Sequence, residues 1–187
     1  MRTLLFINGC VRGENSRTLK LANAYIDAVK ASGEVDVITH DLGVENIGYM
    51  KSDSFDIATG EQKPASCELA KEFAAADEVV LAAPYWEFLF PAVVNCYFEA
   101  VSVAGETFKY TEKGSVGLCK AKNLKYIYTA GAYLGQDDKL CEEYVKKLAN
   151  LYGIKNFSTI LLDGLDIWGN NPEKMVADAC EKIKKLK

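Results

Sequence analysis

Five short runs of almost unbroken apolar character, spaced by stretches of helical period, constrain this 187-residue chain more than any other feature. The runs are Thr3–Asn8, Val35–His40, Glu78–Pro84, Leu124–Ala130 and Ser158–Gly164. A strand that is apolar at successive positions must bury both of its faces, which is the mark of a parallel sheet covered on each side. Between the runs, apolar residues step by three and four. Leu19, Ala22, Ile26 and Val29 follow Ser16, and Leu69 and Phe73 anchor a second stripe. Val94, Phe98 and Val101 follow Pro91, a residue suited to a first helical turn, and Leu140, Tyr144, Leu148 and Leu151 form a fourth stripe. Val176, Ala179, Ile183 and Leu186 form a fifth, opened by Asn171-Pro172-Glu173. Strand–helix alternation with right-handed crossovers predicts an α/β three-layer sandwich: a five-stranded parallel sheet of order 2-1-3-4-5 with helices on both faces. Two stretches break the rhythm. Residues 43–62 read as a polar surface excursion, and 105–120 as a small hairpin. No linker or repeat divides the chain, so 1–187 is expected to be a single domain.

Charge and cysteine usage narrow the function classes. The formal net charge is −4, and no basic tract stands out that would fit nucleic acid or an anionic membrane surface. The terminal Lys182, Lys184, Lys185 and Lys187 fall where they complement the dipole of the last helix. No apolar run approaches the roughly 20 residues that span a bilayer, and the opening MRTLLFINGC reads as a buried strand rather than a leader. The six cysteines are scattered without a C-x-x-C pair and read as reduced, packed thiols. A cytoplasmic location is the expectation. The single histidine, His40, builds no metal site and no nucleophilic triad. Neither a metal nor a catalytic side chain is expected.

In an open parallel sheet, ligands bind beyond the carboxyl ends of the strands near the switch point. The loops there read NGCVRGENSRT, PYWEFLFP, TAGAYLG and DGLDIWGNN. The first enters a helix at Ser16-Arg17-Thr18, where hydroxyls and unpaired backbone N–H groups suit a phosphate dianion. Ser16 can equally serve as a plain helix cap. Neither G-x-x-x-x-G-K-[ST] nor G-x-G-x-x-G occurs after the first strand, which argues against triphosphate hydrolysis and a dinucleotide fingerprint. The second loop places Tyr85, Trp86, Phe88 and Phe90 where the sheet rule places a ligand, beside Glu87 and between two prolines. A flat apolar seat edged by backbone donors and acceptors suits an isoalloxazine, while core packing competes for Phe88 and Phe90.

The run PYWEFLFPAVVNCYFEAVSVAGETFKYTEKGSVGLCK resembles the FMN-dependent NADH-azoreductase and NAD(P)H-quinone reductase family, within the flavodoxin-like flavoproteins. Members carry a P-M-Y-N-F-like loop, then A-G-x-T-F-x-Y, then T-E-x-G-x-x-G-L. Here these correspond to Pro84–Phe88, to Ala104-Gly105-Glu106-Thr107-Phe108-Lys109-Tyr110, and to Thr111-Glu112 with Gly114 and Gly117-Leu118. The resemblance runs from the first strand through the fifth. It implies a flavodoxin-like fold, FMN as cofactor, NADH or NADPH as hydride donor, a quinone or azo compound as acceptor, ping-pong turnover and a homodimer. It carries the phosphate loop onto Ser16, Arg17 and Thr18 with Cys10 as a first contact. The flavin-ring loops fall on Pro84, Tyr85, Trp86, Glu87 and Phe88 and on Thr129, Ala130, Gly131, Ala132 and Tyr133.

Three departures stand out. Cys10 replaces a serine, and a thiol is a poor donor. Ala130 replaces a frequent arginine, and Glu87 an asparagine. The last two shift the local charge in the negative direction and predict a lower flavin potential than in relatives with asparagine and arginine. Trp168, on the rim after the fifth strand, reads as a wall of the acceptor pocket, as packing at a subunit boundary, or equally as plain surface packing. Two rival readings remain: a flavodoxin-type electron carrier with a protein partner, and a flavin-free relative. A receiver domain of the same topology is ruled out, because Asn8-Gly9 and Pro84-Tyr85 stand where its acidic residues must be.

Overall fold

The first strand sets the layering. In β1 (Arg2–Asn8), Leu5 and Ile7 join one apolar cluster while Leu4 and Phe6 join another on the opposite face. The computed structural model describes residues 2–51, 54 and 64–185. Its order is β1, α1 (Arg17–Ala31), β2 (Val35–Asp41), α2 (Pro64–Ala75), β3 (Glu78–Ala82), α3 (Ala92–Val101), β4 (Phe108–Thr111), β5 (Gly114–Gly117), β6 (Asn123–Thr129), α4 (Leu140–Leu151), β7 (Asn156–Leu162) and α5 (Pro172–Ile183). The main sheet runs β2-β1-β3-β6-β7 with every pairing parallel, and β4-β5 is a separate antiparallel hairpin. Counted along the main sheet alone, this is the expected order 2-1-3-4-5. Among the described residues no helix is long and apolar enough to cross a membrane.

Helices cover both faces because their stripes match the two clusters. Leu19, Leu21, Ala22 and Ile26 of α1 and Val176 and Ile183 of α5 close over Phe6, Val80 and Ile127. On the other face Phe73 of α2, Val94 and Phe98 of α3, and Val145 and Ala149 of α4 cover Leu5, Leu81 and Tyr126. At about 25 cal/mol per Å² of apolar surface, each fully buried Leu, Ile or Phe side chain contributes about 1.5–3 kcal/mol. Helix starts follow the caps. Ser16 Oγ accepts from the Leu19 N–H at 3.2 Å, and Asn171 Oδ1 accepts from the Lys174 N–H at 2.9 Å ahead of Pro172.

Several boundaries differ from the sequence expectation. β3 ends at Ala82 rather than Pro84, because proline has no N–H for the ladder. Pairing with β6 nevertheless continues at alternate residues, through Ala83 N–H to Ile127 O (3.1 Å) and Tyr85 N–H to Thr129 O (2.9 Å). β6 ends at Thr129, one residue short of Ala130. β7 starts at Asn156, where pairing with Asn123 begins, and ends at Leu162 rather than Gly164, where Asp163 turns to accept from the Leu134 N–H. Pro91 is the N-cap of α3 rather than a residue of its first turn. The excursion of 43–62 is irregular over 43–51, and its remainder apart from residue 54 lies outside the described residues, as does Leu186.

The hairpin is anchored by close backbone approach. A Cβ on Gly117 would stand 2.0 Å from the Gly153 nitrogen and from the Tyr152 carbonyl carbon, so this strand end lies directly on the C-terminus of α4. Leu118 N–H to Thr107 O (2.9 Å) and Cys119 N–H to Tyr152 O (3.1 Å) secure the same seam.

Candidate cofactor site

Three loops from the carboxyl ends of β1, β3 and β6 meet in one cleft of about 170 Å³. It is lined by Arg12, Ser16, Arg17, Thr18, Pro84, Tyr85, Trp86, Thr129, Ala130, Gly131, Leu165 and Asp166. Nine of the residues singled out from the sequence are brought together here, and they come from three stretches far apart in the chain.

At the α1 end, Ser16 is buried and extended (φ −76°, ψ 121°), and its Oγ accepts from Leu19. Its own O–H lies in hydrogen-bonding range of the Cys10 thiol and can turn to an anion instead, so capping and anion binding are compatible in one side chain. Helix geometry gives the Arg17 and Thr18 N–H groups no intrahelical acceptor, and the dipole adds positive potential there. Thr18 Oγ1 lies 2.7 Å from Thr129 Oγ1, both buried, tying the helix start to the end of β6. One hydroxyl of that pair donates to the other and leaves the second proton available.

The β3–α3 loop is a tight turn in which Leu89 N–H bonds Trp86 O at 2.9 Å and Trp86 N–H bonds Leu89 O at 3.3 Å. Its two central residues, Glu87 (φ 51°) and Phe88 (φ 69°), are both left-handed without being glycine. Type I′ geometry demands this conformation and normally recruits Asn or Gly. Left-handed residues with a Cβ cost of order 1–3 kcal/mol each and concentrate at functional loops. The Tyr85 ring meets the Phe88 ring edge to face, with centroids 6.5 Å apart. Trp86, Glu87 and Phe88 are exposed around the cleft mouth, although Glu87 and Phe88 do not line it. Phe90 is core, wedged between Phe98 and Tyr126, which decides for packing the competition left open by the sequence.

The β6–α4 loop lies under the β7–α5 loop. Leu165 N–H bonds Ala130 O (3.2 Å), Asp166 N–H bonds Gly131 O (2.9 Å) and Gly164 N–H bonds Ala132 O (2.9 Å). A Cβ at Gly131 would fall 2.5 Å from Asp166 Oδ2, so only glycine lets the carboxylate sit this close. Ala132 and Tyr133 are exposed beyond the cleft, and the Tyr133 hydroxyl accepts from Asn170 Nδ2 at 3.1 Å.

Cys10 also lies outside the cleft lining. It is 2% exposed within the apolar cluster beneath α1, and its thiol donates to Ala82 O at 3.6 Å. Burial pushes the thiol up to about 12; a hydrogen bond with Ser16 pulls the other way, and the Asp41 carboxylate adds a lesser upward push. A thiol so held stays protonated and is no reactive thiolate.

Arg12, Leu165 and Asp166 were not anticipated. They include two residues of the loop DGLDIWGNN, whose Trp168 is 99% exposed and does not line the cleft. The signal that would have found Asp166 is its pairing with a cation in the first loop: Arg17 Nη1 meets Asp166 Oδ1. His40 is not among the residues that line the cleft and is held between Glu45 and Glu72.

The family model described as the flavodoxin-like fold matches residues 2–186. A Clostridium perfringens protein named FMN-dependent NADH:quinone oxidoreductase is 34% identical over 190 residues, covering 97% of this chain and 96% of that protein. The crystal structure of an azoreductase from Bacillus anthracis superposes with a TM-score of 0.85 at 25% identity, covering 99% of this chain and 98% of the other. A Bacillus anthracis FMN-dependent NADH-azoreductase in complex with FMN superposes with a TM-score of 0.83 at 21% identity, covering 99% and 97%, a likeness of fold.

Proposed function

The chain belongs to the flavodoxin-like family of FMN-dependent NADH:quinone oxidoreductases, and from that premise we propose that it binds FMN in the three-loop cleft and uses NADH to reduce quinone- or azo-type acceptors. The observation that carries this reading is the convergence of Ser16–Thr18, Pro84–Trp86 and Thr129–Gly131 on one cleft at the switch point of the sheet.

The residues fit the two unlike halves of the cofactor. For the tail, the Ser16 hydroxyl and the first-turn N–H groups of α1 make a phosphate seat. For the ring, Tyr85 and Trp86 give apolar surface, and the left-handed turn at Glu87 and Phe88 turns backbone N–H groups outward. About 170 Å³ falls short of the roughly 300 Å³ at which pockets begin to enclose a ligand. One ring face would therefore stay open at the mouth, where a second reactant can reach it.

When bound, FMN supplies hydride acceptance from NADH and two-electron delivery to the acceptor. The protein residues bind and orient: Ser16 and the α1 terminus hold the tail, and the Trp86 turn and the Gly131 backbone hold the ring edge. An open face shared by donor and acceptor suits ping-pong order. Exposed Trp86, Phe88 and Tyr133 around the mouth favour cover by a second copy of the chain, so a homodimer belongs to this reading, as do a single domain and a cytoplasmic location.

Purified protein mixed with excess FMN and desalted is expected to show flavin absorption in the visible. It should then consume NADH in proportion to added benzoquinone. Colourless protein would sink the proposal; coloured protein that leaves NADH intact would favour the electron-carrier reading. Parallel assays with NADPH establish the donor preference.

A further inference from the structure

Beside the three-loop cleft lies a larger one, of about 880 Å³, between α1 and α5. Its lining is Arg12, Asn15, Arg17 and Lys20 on the α1 side and Pro172, Glu173, Val176, Ala177 and Cys180 on the α5 side. Arg12 and Arg17 line both clefts, so the two are contiguous across the α1 terminus. We propose that the α1–α5 cleft binds the adenosine-diphosphate half of the hydride donor while its nicotinamide lies on the open face at the mouth of the three-loop cleft; this rests on the proposed function.

The argument starts from charge. The chain is acidic overall, yet this cleft gathers three cations against one carboxylate. Arg17 is committed to Asp166 at 2.7 Å. Arg12 and Lys20 are exposed and have no ion pair among the described residues. Two uncompensated cations flanking one cleft present a complement to a pyrophosphate, the group joining the two nucleotides of NADH. The far wall is of different chemistry. Pro172, Val176 and Ala177 offer a small apolar surface against which a flat purine can lie, and the Arg12 guanidinium is able to stack on its face. Glu173, at the start of α5, supplies an acceptor for ribose hydroxyls. The cleft also has room for such a ligand, being within the range of small-molecule pockets of about 300–1,000 Å³.

Position selects a dinucleotide rather than an unrelated anion. A ligand extending from the mouth of the three-loop cleft over Arg12 and Arg17 enters the α1–α5 cleft without leaving protein surface. The hydride donor proposed above is the reactant long enough to bridge from a reactive ring to a second, separately recognised nucleotide. It needs no dinucleotide fingerprint loop, whose absence from the sequence left the donor's adenylate without an evident seat.

Two variants test this on the full FMN-loaded chain. Lys20→Glu reverses the charge in the outer cleft, and Ala177→Trp fills it; both positions are exposed and neither lines the three-loop cleft. With NADH, KM is expected to rise about five- to tenfold in each, by charge reversal at Lys20 and by steric filling at Ala177. With reduced nicotinamide mononucleotide, which lacks the adenylate, KM is expected to stay within about twofold of the parent. Calorimetric titration of ADP-ribose into the full chain supplies a readout independent of turnover, with parent binding weakened about five- to tenfold by Lys20→Glu. An unchanged ratio of the two KM values, or ADP-ribose affinity insensitive to Lys20→Glu, overturns the assignment. A parent chain that binds FMN and oxidises both donors equally well also overturns it, while a chain that binds no FMN and oxidises neither overturns the underlying function.

Discussion

Arg17 Nη1 stands 2.7 Å from Asp166 Oδ1, joining the first turn of α1 to the β7–α5 loop across the wall of the candidate cofactor cleft. The pair does two opposed things. It closes the site structurally, because Asp166 also holds Gly131 through its backbone. It also spends a cation that would otherwise face a phosphate. Asp166→Asn is therefore expected to tighten FMN binding about three- to tenfold at low salt, or roughly 0.7–1.4 kcal/mol. Flavin fluorescence titration checks it, and the gain should shrink as salt screens the site.

The exposed turn at Glu87 makes a second outcome measurable. Glu87→Asn removes a carboxylate from the cleft mouth, and Ala130→Arg adds a cation on its lining. Both favour an anionic reduced flavin, so the double variant should raise the midpoint potential by about 30 mV or more, where 30 mV is a tenfold change for a two-electron couple. Asparagine also tolerates φ 51° better than glutamate, so Glu87→Asn by itself should raise the thermal midpoint of the flavin-free chain. A spectroelectrochemical titration and a melting curve separate the two effects.

His40 links the end of β2 to α2 by donating Nδ1 to Glu45 (2.8 Å) and Nε2 to Glu72. Serving two carboxylates at once requires the imidazolium. Burial lowers its pKa, but the hydrogen bonds and charges of Glu45 and Glu72 outweigh it, and the net direction is above the ordinary 6.5. A raised folded-state pKa gives stability that is complete below about 6.5 and is lost as pH climbs through the folded value. Denaturant unfolding should show about 1 kcal/mol less stability at about pH 9 than at about pH 6, a modest figure because both carboxylates are partly solvated. His40→Gln should abolish that share of the difference.

Gly117 gives the sharpest stability expectation. A methyl there meets backbone at 2.0 Å rather than a movable side chain. Gly117→Ala should cost at least about 3 kcal/mol or detach the β4–β5 hairpin from α4. Circular-dichroism melts, with proteolysis inside the hairpin as a second readout, distinguish global loss from local detachment.

Strand order was readable because every element carries its own signal. Leu4 through Ile7 is apolar at consecutive positions, and Ser16 and Asn171 are caps whose hydrogen bonds the structure contains. The ends of strands were less readable, since Tyr85 still bonds Thr129 after Pro84 has interrupted the ladder. At the cleft, Ser16, Tyr85, Trp86 and Gly131 were legible from loop position. Cys10 and Ala132 show the limit of that reasoning. A residue in the right loop can face the core or the solvent, and periodicity does not report orientation outside regular elements. Asp166 escaped for another reason: its place depends on a contact with Arg17, 149 residues away in the chain.

Quinones are electrophiles as well as oxidants, and a thiolate that meets one adds to its ring carbon and is capped for good. An enzyme for such compounds that carries a cysteine in its first loop would be exposed to arylation by its own substrate. Cys10 escapes this by depth: with its sulfur sealed under α1 and held as the thiol at neutral pH, it has neither the charge nor the path for attack. Under the proposed function, the packing of one small side chain would protect the loop from the chemistry conducted above it.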